Sequence, residues 1–369
     1  MQIALIGFSK SGKTTVFNAL TGSNAEVSAF SGKAKTHRAT VQVPDPRLDQ
    51  LNDLFQSKKL VHATIDYVDP VGIRRDQAGQ GAAMGDEMLN NIATADALVA
   101  VIRAFVDDSG VETEPVADFE TIQLELILSD LTKVDNRLGR AESQMQRIGG
   151  PQRKALEEEC AVLKRLKEAL EAGQPVRSLE LDVEEAKYLR SFQFLTTKAL
   201  IVLVNTGGQS EAEVETLLGR LRQSAAGTLP DGVTPLYHFL ALCGQTEMEI
   251  AQLAEEDRAL FLEEYGITEP GMARMIRLCY DALGLISFFT VGPSESHAWT
   301  LRRGLPAVEA AGVIHSDLQR GFIRAQIISW KDMLAVKTYA EAKKQALLRQ
   351  EGRDYVMQDG DIIEVLFSV

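Results

Sequence analysis

The chain opens on a short apolar run, Gln2 to Ile6, which breaks into a polar glycine loop and resumes as apolar positions at helical spacing from Thr14 to Leu20. That order predicts a buried strand, a loop and a helix. Three further aliphatic and β-branched runs, Ala63 to Val68, Ala97 to Ile102 and Ala199 to Val204, are separated by helical patterns. Such runs predict strands buried on both faces, hence a mostly parallel sheet in an α/β architecture. From about Phe119 to Phe192 the strand signal disappears, and Leu124, Ile127, Leu131 and then Leu156, Leu163, Leu166 and Leu170 recur among charges. Gly149, Gly150 and Pro151 interrupt this stretch, which predicts an antiparallel helical hairpin projecting from the sheet. It reads equally as a solvated spacer or as a partner-binding arm. After Leu283 the pattern turns to short strands, Ile286 to Val291, Phe322 to Ile328 and Ile362 to Phe367, with turns at Gly304, Gly321 and Gly360. The expected division is therefore 1–118 plus 193–284 for the sheet domain, 119–192 for the hairpin and 285–369 for a small β-rich domain.

Length and charge narrow the class. With 369 residues and a net charge of −13, the chain has room for two or three domains and lacks the dense basic surface of a protein that coats nucleic acid. DNA is not expected as a partner. From Ile286 onwards ten Lys/Arg balance ten Asp/Glu, so the last domain is the better place to meet RNA. Cys160, Cys243 and Cys279 lie far apart, without disulfide or zinc spacing. No apolar run is long enough to span a bilayer and the first strand leads straight into the glycine loop, so a cytoplasmic location without membrane contact is expected.

Gly7-Phe8-Ser9-Lys10-Ser11-Gly12-Lys13-Thr14 satisfies G-x-x-x-x-G-K-[ST] in full, between the predicted strand and helix. Backbone N–H groups from Ser9 to Thr15 are expected to curl around phosphates at a helix N-terminus. Lys13 would neutralise phosphate oxygens, and Thr14 would ligate Mg²⁺. At the end of the second strand, Asp69-Pro70-Val71-Gly72 offers an acid for the Mg²⁺ shell and a glycine N–H to sense the γ-phosphate. The next residue is Ile73, where many GTPases carry a water-orienting glutamine, so the attacking water must be positioned otherwise. Gln77 to Gly85, with Gly79 and Gly81, reads either as a switch loop or as a plain surface loop. Asn205-Thr206-Gly207-Gly208 stands where a guanine reader would show Asn-Lys-x-Asp. Without the carboxylate at Gly208 the discrimination for guanine is lost, and adenine is the expected base.

These residues resemble the YchF-type (Ola-type) members of the Obg-related P-loop proteins, and the resemblance runs through almost the whole chain. It is carried by the P-loop, Val43-Pro44-Asp45-Pro46-Arg47-Leu48-Asp49, Tyr67-Val68-Asp69-Pro70-Val71-Gly72, the helical insertion and Ser191-Phe192-Gln193-Phe194-Leu195-Thr196. In the last domain it is carried by Ala311-Gly312-Val313-Ile314-His315-Ser316-Asp317, Gly321-Phe322-Ile323-Arg324-Ala325, Asp354-Tyr355 and Asp359-Gly360-Asp361. The resemblance implies a P-loop domain interrupted by a coiled-coil-like hairpin and followed by a β-grasp-like TGS domain. It also implies slow hydrolysis of ATP, or of GTP, and association with the ribosome or its RNA through the TGS domain and hairpin. By position, Asn205 would contact the base edge, and Gly244 and Gln245 of Leu242-Cys243-Gly244-Gln245 would add backbone contacts. Cys243 matches a family cysteine beside the nucleotide, where oxidation would impede binding, unless it is simply a small core residue. For His315 a structural or RNA-facing role is expected.

Three departures from the family pattern bear on the site. Lys10 replaces an asparagine that holds potassium against the phosphates in related GTPases, so its ammonium would stand in for that ion, unless it is merely solvated. Counting back from Pro44, Lys33 stands at the family's switch threonine, leaving Thr36 and Thr40 as candidate hydroxyls. Gly208 replaces an acid the family often keeps. The expected activity is an ATPase needing Mg²⁺, with ATP favoured over GTP. A nucleotide-gated binding module with little hydrolysis, a GTPase, and a small-molecule kinase are the alternatives.

Overall fold

The computed structural model describes residues 1–22, 36–75, 82–106, 110, 113–227, 237–264 and 269–368. Two units emerge, Met1–Ala39 with Asp66–Met275 and Thr40–Ile65 with Ile276–Val369.

In the first unit six strands lie in the order His37–Gln42, Thr64–Asp69, Gln2–Ile6, Ala97–Ala104, Ala199–Thr206, Tyr237–Leu242. The four pairings from Thr64–Asp69 to Tyr237–Leu242 are parallel. The central strands are covered on both faces, which is why they read as unbroken apolar runs: Ile3, Ala4, Leu5 and Ile6 are all fully buried. Alternate residues Ala4, Ile6, Leu98, Ala100, Ile102, Leu200, Val202 and Val204 share one core with Phe119, Ile122 and Leu126. The chain passes from Gln2–Ile6 to a strand on one side and then to Ala97–Ala104 on the other. The loop after Ile6 thus leaves at the switch point of the sheet, where open α/β folds bind ligands.

The hairpin consists of helices Pro115–Met145 and Gly150–Glu171, the first starting earlier than the leucine spacing predicted because Pro115 initiates it. Ile127, Val134, Leu138 and Ala141 meet Leu156, Cys160, Leu163, Leu166 and Leu170 between the helices. Arg137 pairs with Glu159 at 2.6 Å and Lys167 with Asp135 at 2.8 Å. Leu124 lies off this stripe and is half exposed. The Ser191–Thr196 segment fastens the hairpin. Asp130 is completely buried, and its two oxygens accept from the N–H of Leu195 at 2.8 Å and of Thr196 at 2.7 Å. Thr196 Oγ1 in turn accepts from the N–H of Val176 at 3.0 Å, and Phe192 stacks on Phe194.

The second unit has a mixed sheet in the order Arg349–Glu351, Phe322–Ser329, Asp361–Phe367, Leu285–Val291, Ser296–Arg302, Leu60–Val61. Helix Ala307–Ile314 packs Ala307, Ala310 and Ala311 against Ile286, Phe288, Ile327 and Ile363. Short helices Ser316–Arg320, Trp330–Val336 and Tyr339–Lys344, unread in the sequence, join it. Helix Pro46–Phe55 belongs to this unit, which takes in residues 40–65 and resumes at Ile276, whereas the expected division placed 40–65 with the sheet domain and began the last domain at 285. Its Arg47 is held by Asp45 at 2.8 Å and Asp359 at 2.6 Å, with the guanidinium over the ring of Phe289. Asp359 also accepts from the N–H of Ser287, so the Val43–Asp49 motif serves as a clamp on the C-terminal sheet. Among the described residues, no helix is long and apolar enough to cross a membrane.

Candidate nucleotide-binding site

The glycine loop joins strand Gln2–Ile6 to helix Lys13–Thr21 as expected. Gly12 sits in the left-handed region at φ 86°, and a Cβ there would run into the side-chain amide of Asn205, so only glycine fits. Ser9 and Lys10 are exposed, with Lys10 at φ 66°, while Ser11 is buried and Thr15 half-buried. The Lys10 ammonium has no hydrogen bond or ion pair among the described residues. The loop is stitched to the segment after Gly72: Ser9 N–H donates to Ile73 O at 3.0 Å, and Ile73 N–H to Gly7 O at 2.9 Å. Ile73 is buried in the core, so an apolar side chain in the glutamine's position has no access to a ligand.

Lys13 lies almost wholly inside, and its ammonium donates to Phe8 O at 3.1 Å. A Cβ built on Gly72 would come within 2.7 Å of Lys13 Nζ and 3.1 Å of the Ser9 nitrogen, so this glycine permits close approach of loop and lysine. Burial pushes the Lys13 ammonium below its ordinary range, and the Asp69 carboxylate opposes that push. Thr14 Oγ1 donates to Asp69 Oδ2 at 2.8 Å. Asp69 Oδ1 and Ser11 Oγ are buried with no hydrogen-bond partner among the described residues. A cluster holding a strained cation, a hydroxyl–carboxylate pair and orphaned polar atoms suits an anion with a hard divalent cation. Mg²⁺ usually takes one or two carboxylates together with substrate phosphates and water, and Thr14 with Asp69 fits that donor set.

On the opposite side Asn205 is buried and braces two loops. Its Nδ2 donates to Ser11 O at 3.1 Å, and its Oδ1 accepts from Gly244 N–H at 2.9 Å. The expected base-edge contact would fall to the second Nδ2 hydrogen and the remaining Oδ1 lone pair. Gly244 opens helix Gly244–Gln252 with Cys243 as the half-buried N-cap, and Gln245 is exposed and bonded to Glu249. Gly207 N–H donates to Gln209 Oε1 at 2.6 Å, and Gln209 Nε2 donates to Ala104 O. A Cβ on Gly208 would meet nothing within 4 Å. Phe105, which the sequence reading passed over, lies between the glycine loop and Gly207, with ring or Cβ atoms 3.7 Å and 3.1 Å from Cβ positions built on Gly12 and Gly207. Its place directly after strand Ala97–Ala104 was the available signal. Thr36 Oγ1 accepts from Asn91 at 3.3 Å, and Thr40 lies in strand His37–Gln42. Lys33, Gly79 and Gly81 fall outside the described residues.

Comparison with known proteins joins this geometry to a family. A family model described as "50S ribosome-binding GTPase" matches residues 2–134, and the model YchF-GTPase_C, described as a protein of unknown function, matches residues 285–368. The ribosome-binding ATPase YchF of Bacillus subtilis is 37% identical over 380 residues, covering 100% of both chains. The chain belongs to the YchF family. The ribosome-binding ATPase YchF of Escherichia coli O157:H7 is 35% identical over 373 residues, covering 100% of this chain and 99% of its own. Among solved structures, the YchF GTPase of Schizosaccharomyces pombe matches with a TM-score of 0.81 and 27% identity, covering 99% of this chain and 97% of that one. The P-loop domain, helical hairpin and C-terminal β-rich domain are thus the YchF architecture.

Proposed function

We propose that this chain is a Mg²⁺-dependent nucleoside triphosphatase that prefers ATP to GTP and acts on the ribosome as a nucleotide-dependent regulator. The observation that carries the reading is Lys13: a buried cation facing Gly72 beside the Thr14–Asp69 pair, in a loop whose strand and helix context is that of a triphosphate site. Backbone groups from Ser9 to Thr15 would hold the phosphates, with Lys13 neutralising the β and γ oxygens. Thr14 and Asp69 would hold Mg²⁺, which when bound spreads the charge that develops on the transferred group. The Gly72 N–H would report the γ-phosphate. Because Ser9 and Ile73 already bond across the two loops, a ligand in the glycine loop would be felt in the segment after Gly72. Ribosome association is supported by the names of the relatives. The TGS-like domain and hairpin would make the contact.

The adenine preference rests on Gly208 and its open surroundings. The relatives' names carry both ATPase and GTPase, so the base is decided by this chain's own loop. Restoring a carboxylate tests it. Gly208 is not held at positive φ and has room for a side chain. Gly208→Asp should strengthen GTP against ATP by roughly 10- to 100-fold, the worth of one hydrogen bond to a charged group. Competition between labelled ATP and unlabelled GTP reads this directly, and an unchanged ratio would remove Gly208 from the argument.

Lys10 is proposed to supply a built-in positive charge to the phosphates, for which its exposed ammonium, without a hydrogen bond or ion pair among the described residues, is available. Turnover is then expected to be equal in sodium and potassium chloride, with potassium dependence appearing in Lys10→Asn. A steep potassium dependence in the unaltered protein would count against this role. The burial of Ile73 keeps the second reading in view, a nucleotide-gated binding module with little hydrolysis. Single-turnover hydrolysis of ATP separates the two.

A further inference from the structure

His37 stands at the start of strand His37–Gln42, the neighbour of strand Thr64–Asp69 in the sheet, and faces the carboxylate of Asp69. Its Nδ1 lies 3.6 Å from Asp69 Oδ2, too far for a hydrogen bond. Both His37 Nδ1 and Asp69 Oδ1 are buried atoms without a hydrogen-bond partner among the described residues. The Asp69 side chain is 4% exposed, the imidazole 30%, and Phe17 packs against the ring at 6.0 Å. Thr14 Oγ1 touches the same carboxylate from the other side at 2.8 Å. An imidazole nitrogen, a carboxylate and a hydroxyl therefore converge, and His37 Nδ1 and Asp69 Oδ1 have no hydrogen-bond partner among the described residues. Leaving such atoms bare inside a protein is costly, and a cation shared with Thr14 removes the cost for both.

We propose that His37 Nδ1 is a ligand of the divalent cation held by Thr14 and Asp69, giving the nucleotide site a nitrogen donor and a taste for first-row transition ions such as Mn²⁺ and Co²⁺ beside Mg²⁺. This rests on the reading of Thr14 and Asp69 as the metal pair. Mg²⁺ favours an all-oxygen shell, whereas imidazole raises affinity along the first-row series. Coordination through Nδ1 places the ring proton on Nε2.

The test uses the full-length protein labelled with ¹⁵N-histidine and loaded with Mn²⁺ and ADP, read by pulsed electron paramagnetic resonance. A directly bonded histidine nitrogen coupling is expected, lost in His37→Asn while ADP remains bound. The preference for Mn²⁺ over Mg²⁺ in ADP binding should fall in the same variant. Bound Mn²⁺·ADP without histidine coupling, as a plain His37–Asp69 ion pair would give, overturns the inference alone. Coupling that persists in His37→Asn overturns it as well. Failure of Mn²⁺·ADP to bind at all overturns both this inference and the nucleotide reading beneath it.

Discussion

Lys13→Ala is expected to reduce ATP hydrolysis by about 10²- to 10³-fold, the usual loss when one preorganised charge is removed from a developing oxyanion. The same variant should lose the stabilisation that MgATP gives the unaltered protein, which at a ligand concentration of about 100 Kd amounts to roughly 2.7 kcal/mol. The ligand-free protein behaves differently. Burial pushes the Lys13 ammonium towards its neutral form, so in the absence of an anion this charge is a burden on the fold. Its removal should leave the unliganded melting temperature unchanged or raise it. Thermal unfolding with and without MgATP reads both halves of the prediction. A variant that melts lower without ligand yet is still stabilised by MgATP would make Lys13 a structural residue.

Asp130→Ala is the largest expected change in stability. The carboxylate is completely buried and accepts from the N–H groups of Leu195 and Thr196. Burial raises its pKa, and the two backbone donors and Lys133 work against that rise, so the donors are what makes the buried charge tolerable. Truncation strands both N–H groups at about 1–3 kcal/mol each, for a loss of roughly 2–6 kcal/mol. Asp130→Asn keeps the shape but turns an amide N–H₂ towards one of the two donors, so it should recover only part of that loss. Denaturant unfolding of the full chain measures it. A loss below about 1 kcal/mol in Asp130→Ala would mean that the Ser191–Thr196 segment is held by its apolar contacts alone.

The features legible in the sequence are those whose causes are local. The strand, glycine loop and helix from Gln2 to Thr21 form one contiguous pattern, and the structure places it almost to the residue. The runs at Ala97 and Ala199 were readable because strands buried on both faces are apolar at nearly every position, and the run at Thr64, exposed at Thr64 and Asp66, was readable from its buried Ile65, Tyr67 and Val68. Strand Tyr237–Leu242 was not: it forms the edge of its sheet, and His238 and Phe239 are only half-buried. The attachment of helix Pro46–Phe55 to Asp359 and Phe289 was not readable, because it crosses more than two hundred residues of sequence. The site shows the same division. Lys13, Thr14, Asp69 and Gly72 announce themselves by spacing, whereas Asn205 as a brace and His37 beside Asp69 follow from tertiary contacts that no local pattern encodes. Ile73 was noticed as a substitution, but its burial in the core became visible only in three dimensions.

The central claim, a Mg²⁺-dependent site that selects adenine, is tested most directly by a competition titration of ATP against GTP on the full-length protein, with and without Mg²⁺. The account predicts that ATP binds more tightly than GTP and that withdrawing Mg²⁺ weakens ATP binding. GTP binding more tightly than ATP, or ATP binding indifferent to Mg²⁺, would contradict it.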